Sequence, residues 1–345
     1  MINIRDHLNR ADADQVITNL ADDHWKYLIK SKSNGTRGKH SLVARCESAK
    51  GASSTPRYLK EYAENRPEKA KRHEEFFKYV LSNNFIKLRE IIVGTPTTLV
   101  SLNKEIYSIL KDEDIYTVVD GVLKQTRFGK FLSETIFPYG AYRKTVQCKK
   151  TLTKLDFTSA TCPYCNYTRL DVTKCEKKKA YLDLDHFFLK SKHPFFALSF
   201  FNLVPSCHSC NSTDRGVTDF SLDTHINPFY ESFDQIYKFS FPPAFFHGSS
   251  DEFQIDNNGT KKNDITPTTF NIRAKYQNRI QDLKDIVDDF NKYKHYLNTP
   301  NEEIFVALIM KNVPPNHQGI LKFELSKIKR DLLKELDSNR VLKIC

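Results

Sequence analysis

Residues 161–215 read TCPYCNYTRLDVTKCEKKKAYLDLDHFFLKSKHPFFALSFFNLVPSCHSCNSTDR. This stretch contains two C-x-x-C motifs, one near each end. The four cysteines are Cys162, Cys165, Cys207 and Cys210. They predict a closed tetrahedral zinc site, because four thiolates leave no open position for water. The zinc is expected to be structural, joining two ends of a small module that has little core of its own.

A second set of polar residues lies between and beside the two C-x-x-C motifs. Asp185 and His186 are adjacent, Asn202 follows before the second motif, and Asn211 comes directly after its last cysteine. Carboxylate and amide oxygens suit a hard divalent cation. A histidine that is neutral near pH 7 suits a general base. The sequence therefore indicates a hard cation beside a general base, next to the zinc.

This stretch resembles the HNH endonuclease family, the ββα-metal nucleases. The resemblance rests on three segments, Leu184–His186, Asn202–Pro205 and Cys207–Asn211, and covers about residues 155–230. The last position of the family pattern is often histidine, and here it is Asn211. The arrangement is also similar to stand-alone HNH nucleases of bacterial anti-phage defence systems, such as the Septu-type nuclease subunit that works beside an ATPase.

The resemblance implies a fold and a set of roles. His186 would deprotonate the attacking water, Asp185 and Asn211 would bind Mg²⁺ or Mn²⁺, and Asn202 would tie the loop that orients His186. The implied function is a metal-dependent endonuclease acting on DNA more than RNA, as a bacterial defence effector with an ATPase partner. Two alternatives stay open: a non-catalytic, zinc-dependent nucleic-acid-binding subunit, and a nuclease that is silent until its partner engages.

The charge balance favours an anionic partner. The 345 residues include 53 Lys and Arg against 42 Asp and Glu, a net charge of +11, and nucleic acid is the first candidate. Predicted phosphate contacts are Arg143, Lys144, Lys149, Lys150, Arg169 and Arg215. A basic, Gly- and Ser-containing loop over residues 32–60 is either a phosphate-binding arm or a solvated connector. The basic residues of 139–155 are open to the same two interpretations.

Cysteine usage and hydropathy indicate a reducing compartment. Four of the eight cysteines lie outside the C-x-x-C motifs, without ligand spacing, and they are Cys46, Cys148, Cys175 and Cys345. This pattern is typical of reduced thiols rather than of a disulfide framework. The first residues carry charges where a signal peptide needs an apolar core, and no run approaches about 18 apolar residues. We therefore expect a cytoplasmic protein with no membrane contact.

The expected fold class is α+β, with a ββα-metal HNH core and its structural zinc flanked by mostly helical regions. The predicted divisions are 1–138, a helical region containing the basic loop; 139–230, the nuclease core; and 231–345, a short β-hairpin followed by helices. Helices are predicted to begin at Pro67, over residues 116–136, and as one long helix from Phe270. Residues 237–241 are predicted to pair with residues 253–255.

Other polar residues near the core have weaker assignments. Asp183 shares a strand face with Asp185 and is either a metal ligand or a supporting residue. His208 lies inside the second C-x-x-C motif, where it could replace a cysteine ligand. His193 and His225 are expected to pack or to contact substrate rather than to catalyse.

Overall fold

The computed structural model describes residues 2–30, 38, 40–173 and 179–344. The α-helices are α1 (Ile4–Leu8), α2 (Ala13–Leu28), α3 (Leu42–Ala52), α4 (Pro56–Tyr62), α5 (Pro67–Val93), α6 (Pro96–Ile109), α7 (Asp112–Ile115), α8 (Arg127–Phe131), α9 (Tyr139–Arg143), α10 (Val146–Lys154), α11 (Phe233–Ile236), α12 (Pro243–Phe246), α13 (Thr266–Thr269), α14 (Ile272–Gln277), α15 (Ile280–Tyr293), α16 (Glu302–Ile309) and α17 (Ser326–Leu336). Together with small sheets they confirm the α+β class.

The strands form small antiparallel sheets. They are β1 (Tyr116–Val119), β2 (Val122–Gln125), β3 (Ala160–Thr161), β4 (Arg169–Val172), β5 (Ala180–Tyr181), β6 (Asp183–His186), β7 (Leu203–Ser206), β8 (Tyr237–Ser240) and β9 (Gln254–Asn257). β1 pairs with β2, β6 with β7 and β8 with β9, while β3, β4 and β5 form one sheet in that order. The predicted pairing of residues 237–241 with 253–255 is confirmed.

The N-terminal region is mostly helical, as predicted, and α5 begins at Pro67. This helix is interrupted at residues 82–85, where the backbone of Asn83, Asn84 and Phe85 has positive φ. The prediction of a basic loop over residues 32–60 is largely wrong, because its second half forms α3 and α4. Ser41 and Thr55 cap these helices by accepting hydrogen bonds from backbone amides three residues later. Residues 31–37 and 39 of the predicted loop lie outside the described residues.

The predicted helix over residues 116–136 is also wrong in its first half, which forms the β1–β2 hairpin. Val119 pairs with Val122 across a two-residue turn. The turn residues Asp120 and Gly121 have φ of 53° and 74°. Two positive φ values are those of a type I′ turn, whose twist matches that of a hairpin. Residues 127–136 are helical, ending in a π-helical turn.

The C-terminal region departs from its prediction at one point. The long helix expected from Phe270 is divided into α14 and α15, because Arg279 (φ −120°, ψ 23°) leaves the helical conformation. The apolar face is kept across the break: Tyr276, Leu283 and Val287 are all buried.

One buried apolar cluster extends across the whole chain. It runs from Ile2 through Phe137 and Val204 to Leu332, and therefore crosses both predicted domain boundaries. A second, smaller cluster joins α15, α16 and the end of the described chain around Phe305. The candidate site is thus supported by apolar packing from both flanking regions. Among the helices in the described ranges, none has the length and apolar character needed to cross a membrane.

Candidate metal centre and catalytic cluster

The two C-x-x-C motifs follow the ends of two strands, β3 and β7, that belong to different sheets. Cys162 directly follows β3, and its backbone amide donates to Thr168 O at 2.8 Å, which closes the turn between β3 and β4. Cys207 directly follows β7. Its amide donates to the Sγ atom of Cys162 at 3.3 Å, and the amide of Cys210 donates to the Sγ atom of Cys207 at 3.5 Å. The two strand ends therefore bring the sulfur atoms together.

The four sulfur atoms have the arrangement that a zinc ion needs. All four cysteines are buried, and their Sγ atoms lie within 4.8 Å of one another. Cys165 Sγ and Cys207 Sγ are 4.0 Å apart. Tetrahedral coordination at a Zn–S distance of about 2.3 Å requires sulfur atoms about 3.8 Å apart. Four thiolates at this separation fit a structural zinc ion.

Contacts from the C-terminal region support both C-x-x-C motifs. Tyr276 on α14 donates its hydroxyl to Cys165 O at 2.7 Å. Lys275, its neighbour, has Nζ 3.4 Å from Cys210 Sγ, where a cation offsets the negative charge of a four-thiolate site. Asn166 adopts positive φ (49°), and its side-chain oxygen accepts from the backbone amide of Lys327 at 3.1 Å in the first turn of α17.

His186 ends β6 and is held by a backbone carbonyl. In the β6–β7 hairpin it pairs with Leu203. Its Nε2 lies 3.1 Å from Ala197 O, and the edge of its ring contacts Tyr139 with the ring centroids 4.4 Å apart. Because a carbonyl oxygen only accepts, Nε2 must carry the proton. Nδ1 then keeps a free lone pair. Within the described ranges Nδ1 makes no hydrogen bond. It is also not one of the solvent-shielded atoms that lack a partner there, so solvent can reach it.

The surroundings of His186 keep it neutral. Its side chain is buried, with only 8% of the residue exposed. Burial, assisted by the nearby charges of Lys190 and Arg215, lowers the pKa of His186 to about 3. The ring is therefore in the proton-accepting form at neutral pH.

Asn202 ties together the loop that carries Ala197. Its Oδ1 accepts from the amide of Phe188 at 2.6 Å, and its Nδ2 donates to Phe196 O at 3.0 Å. Its own carbonyl accepts from the amide of Phe187 at 2.9 Å. Asn202 is fully buried. Its bonds hold Phe187 and Phe188, which follow His186, against the segment containing Ala197, whose carbonyl contacts the His186 ring.

Asp185, the predicted cation ligand, faces the interior. One of its oxygens accepts from the Tyr164 hydroxyl at 2.8 Å, and the other accepts from Arg215. The Arg215 side chain is 2% exposed and also donates to His186 O and to Phe187 O. The prediction that Arg215 contacts phosphate is therefore wrong, because its guanidinium is buried and fully engaged.

Asn211 lies beside Asp183 rather than Asp185. It is in a short π-helical segment, Ser209–Asp214, that follows β7. Its Nδ2 is 3.2 Å from Asp183 Oδ2, which also accepts from His208 Nδ1 at 3.0 Å, while Arg143 donates to Asp183 Oδ1 at 2.7 Å. Burial works to raise the pKa of Asp183, but these three donors hold it below its usual value.

Asp183, rather than Asp185, is the carboxylate to which Asn211 is hydrogen-bonded, while the two oxygens of Asp185 accept from Tyr164 and Arg215. The Asp183 side chain is 15% exposed. Its oxygens and the Asn211 amide oxygen are ligands of the kind that Mg²⁺ takes. A cation at this position would replace hydrogen bonds that Asp183 now accepts from neighbouring side chains.

The predicted phosphate contacts other than Arg215 are mostly exposed. Lys144 and Lys150 are exposed and Lys149 is half-buried, on or next to α10. Arg143, 42% exposed in its side chain, is paired with Asp183. Arg169 is exposed on β4 and donates to the Ser159 hydroxyl.

Sequence reasoning missed Lys190. Its Nζ lies 5.7 Å from the centre of the Tyr139 ring that packs against His186. A basic residue four positions after a candidate base, in the segment that returns to the same site, was an available signal. By contrast, His193 bonds Asn103 Oδ1 at 2.9 Å and His225 stacks on Phe220, so both have packing roles, as expected.

No family model, curated protein or solved structure matches the chain. The site combines a zinc-compatible sulfur cluster, a neutral imidazole with one free nitrogen, and a carboxylate and amide next to basic side chains.

Proposed function

We propose that this protein is a metal-dependent endonuclease that hydrolyses phosphodiester bonds in nucleic acid, in DNA more than in RNA. The observation that supports this most is the state of His186. Its Nε2 proton is committed to Ala197 O, so that Nδ1 is left as a proton acceptor that solvent reaches. An acceptor of this kind can take the proton of a water molecule as that water attacks phosphorus.

The surroundings of His186 favour a phosphodiester substrate. Arg143 and Lys190 lie close to the candidate site, and Lys144 and Lys150 are exposed nearby. These cations can hold a phosphate backbone across the site without reading its sequence. A divalent cation, Mg²⁺ or Mn²⁺, would be held by Asp183 and Asn211 and would supply charge neutralisation for the leaving oxygen when bound. Asp185 would become a ligand only if its pair with Arg215 were broken.

The zinc cluster has a separate role in this proposal. Four buried thiolates have no position for substrate, so a bound zinc ion would hold the ends of β3 and β7 together. A bacterial defence role, an ATPase partner that engages the flanking helices and a cytoplasmic location belong to the same proposal and rest on the sequence resemblance.

The experiment compares His186→Ala with His208→Ala. Both remove a histidine from the region of the β6–β7 hairpin, but His208 is 81% exposed in its side chain and is not bound to Ala197. Plasmid DNA and RNA are incubated with each protein, with and without Mg²⁺ or Mn²⁺ and with any partner present. His186→Ala is expected to keep zinc and nucleic-acid affinity yet lose cleavage by about 10²–10⁴-fold. Equal cleavage by His186→Ala and the parent would contradict the assignment.

A second function is favoured by one observation. Asp185 is buried in an ion pair with Arg215, which suits a structural carboxylate better than a cation ligand. A zinc-dependent nucleic-acid-binding subunit without catalysis would need the zinc but not Nδ1 of His186. Salt-sensitive binding by the parent protein, with no cleavage under any metal or partner condition, would favour this alternative.

A further inference from the structure

A cavity of about 680 Å³ is bordered by Leu198, the residue after the Ala197 whose carbonyl contacts His186. It is bordered by the end of α2, the start of α3, α9 and the start of α10. Its lining includes Tyr27, Lys30, Ser41, Arg45, Tyr142 and Thr145. Its volume falls within the range of small-molecule sites, about 300–1,000 Å³.

The charged groups of this cavity have a single sign. Lys30 and Arg45 are cations, His40 also lines it, and none of the described lining residues is acidic. Basic side chains inside a protein are ordinarily paired with a carboxylate. The described lining supplies no carboxylate, so internal ion pairing does not explain these basic side chains. The cavity is therefore electrostatically suited to an anion.

Arg45 is the least satisfied of these groups. Its Nη1 donates to His40 O at 3.1 Å, while its Nε is buried and has no hydrogen-bond partner in the described part of the chain. Burial lowers the pKa of this guanidinium. Because its Nε is shielded from solvent, a ligand in the cavity would meet the Nη side of Arg45.

Two helices also begin at the cavity. Ser41 is the N-cap of α3 and Thr145 is the N-cap of α10, and both side chains line the cavity. The two helices have 11 and 9 residues, so each presents the positive end of a helix dipole. Each cap satisfies one amide of its helix, and the remaining first-turn amides are the groups that bind phosphate at helix N-termini elsewhere.

The rest of the lining suits a planar or apolar body. The rings of Tyr27 and Tyr142 are 6.2 Å apart between centroids, and Leu28 and Leu198 complete an apolar wall. Three basic side chains and two helix N-termini together match a doubly charged group with several acceptor oxygens. We propose that this cavity binds the phosphate group of a nucleotide, with the base against the tyrosine wall.

This inference does not rest on the proposed nuclease activity, since its residues are separate from His186, Asp183 and Asn211. Two sources can supply the same chemistry: a free nucleotide, or the 5′-phosphate at the end of a nucleic-acid strand. The probes are therefore AMP, adenosine, and a short oligonucleotide with and without a 5′-phosphate. Binding to the zinc-loaded full-length protein is measured by calorimetry at fixed ionic strength in a phosphate-free buffer.

The test variant is Arg45→Gln and the matched control is Arg57→Gln, which removes an arginine that is 88% exposed in its side chain. AMP is expected to bind the parent at least tenfold more tightly than adenosine does. Arg45→Gln should weaken AMP binding at least tenfold, and Arg57→Gln should leave it unchanged. A preference for the 5′-phosphorylated oligonucleotide over AMP, lost in Arg45→Gln, would assign the site to strand ends.

Lys30→Gln provides a second variant, because Lys30 is exposed at the cavity rim and its replacement leaves the core intact. Circular dichroism and zinc content establish that each variant is folded. The proposal is overturned if neither AMP nor the phosphorylated oligonucleotide binds the folded parent. It is also overturned if both bind equally well to the parent, Arg45→Gln and Lys30→Gln.

Discussion

Replacing Arg215 with Met is expected to be among the most destabilising single changes in the chain. In the folded protein its guanidinium donates to Asp185 and to the backbone oxygens of His186 and Phe187, and lies 4.3 Å from the centre of the Phe220 ring. The methionine keeps apolar volume but makes none of these hydrogen bonds. Asp185 would stay buried, with the Tyr164 hydroxyl as its remaining side-chain donor.

The expected magnitude follows from the burial of both partners, which are 2% and 3% exposed in their side chains. Removing one member of a buried ion pair costs about 3–5 kcal/mol, because the other charge is left without compensation. The total stability of a folded domain is only about 5–15 kcal/mol. The variant should therefore lose a large fraction of its free energy of unfolding.

The assay is urea unfolding at constant zinc concentration, with Arg279→Met as control. Arg279 also pairs with an aspartate, Asp282, but both are about one-third exposed, so its loss should cost less than about 1 kcal/mol. Adding Asp185→Asn to Arg215→Met removes the stranded charge, and the double variant should be about 2 kcal/mol more stable than the sum of the single effects predicts. A loss no larger than that of Arg279→Met would refute the reasoning.

Three further outcomes are expected. Elemental analysis should find one zinc per chain in the parent but little in Cys207→Ser, which should also unfold at a lower urea concentration. The control is Cys148→Ser, which replaces a buried cysteine outside the cluster and should keep its zinc. Burial lowers the pKa of His24 to about 4, below its unfolded value of 6.5, so between these values only the unfolded chain binds the proton. This residue alone should therefore lower the free energy of unfolding by about 2 kcal/mol from pH 7.5 to pH 5, and the loss in His24→Gln should be smaller than that of the parent by about this amount. Lys144, Lys149 and Lys150 should be replaced together with Ala. This change should reduce the salt-dependence slope of DNA binding by about 3, because each phosphate contact contributes about one unit. An unchanged slope would mean that these side chains form a solvated face.

Sequence reasoning succeeded where local chemistry decides the structure. The paired C-x-x-C motifs predict four sulfur atoms in one place, and the structure brings them within 4.8 Å of one another. Pro67 starts a helix, as predicted, because its fixed φ suits the first turn and its missing amide hydrogen is not needed there. These features depend on a few neighbouring residues and little on the rest of the fold.

The β1–β2 hairpin was missed although its signal was present. The valines around it also fit a helical apolar face, and the Asp120-Gly121 turn between them was the feature that should have decided for strands. Similarly, Ser41 and Thr55 are helix caps inside a stretch whose charge and glycines had suggested a loop. In both cases composition was given more weight than turn and capping chemistry.

The choice between Asp183 and Asp185 was beyond sequence reasoning. Alternation along β6 gives the two aspartates the same strand face, so spacing does not distinguish them. What separates them is Arg215, which reaches Asp185 from 30 residues later, and Asn211, which reaches Asp183 from 28 residues later. These contacts depend on how the segment after β7 folds back on the hairpin, and that path is determined by tertiary packing.

Asn166 has a consequence for the order in which the protein can mature during synthesis. It lies one residue after Cys165, yet its side chain bonds Ile320 O, Phe323 O and the amide of Lys327. Those partners are translated more than 150 residues later. A nascent chain could load zinc once Cys210 has left the ribosome, but the loop around the metal would lack its supporting contacts until α17 emerges. Full rigidity of the zinc module, and any activity that depends on it, is thereby delayed until most of the polypeptide has been made.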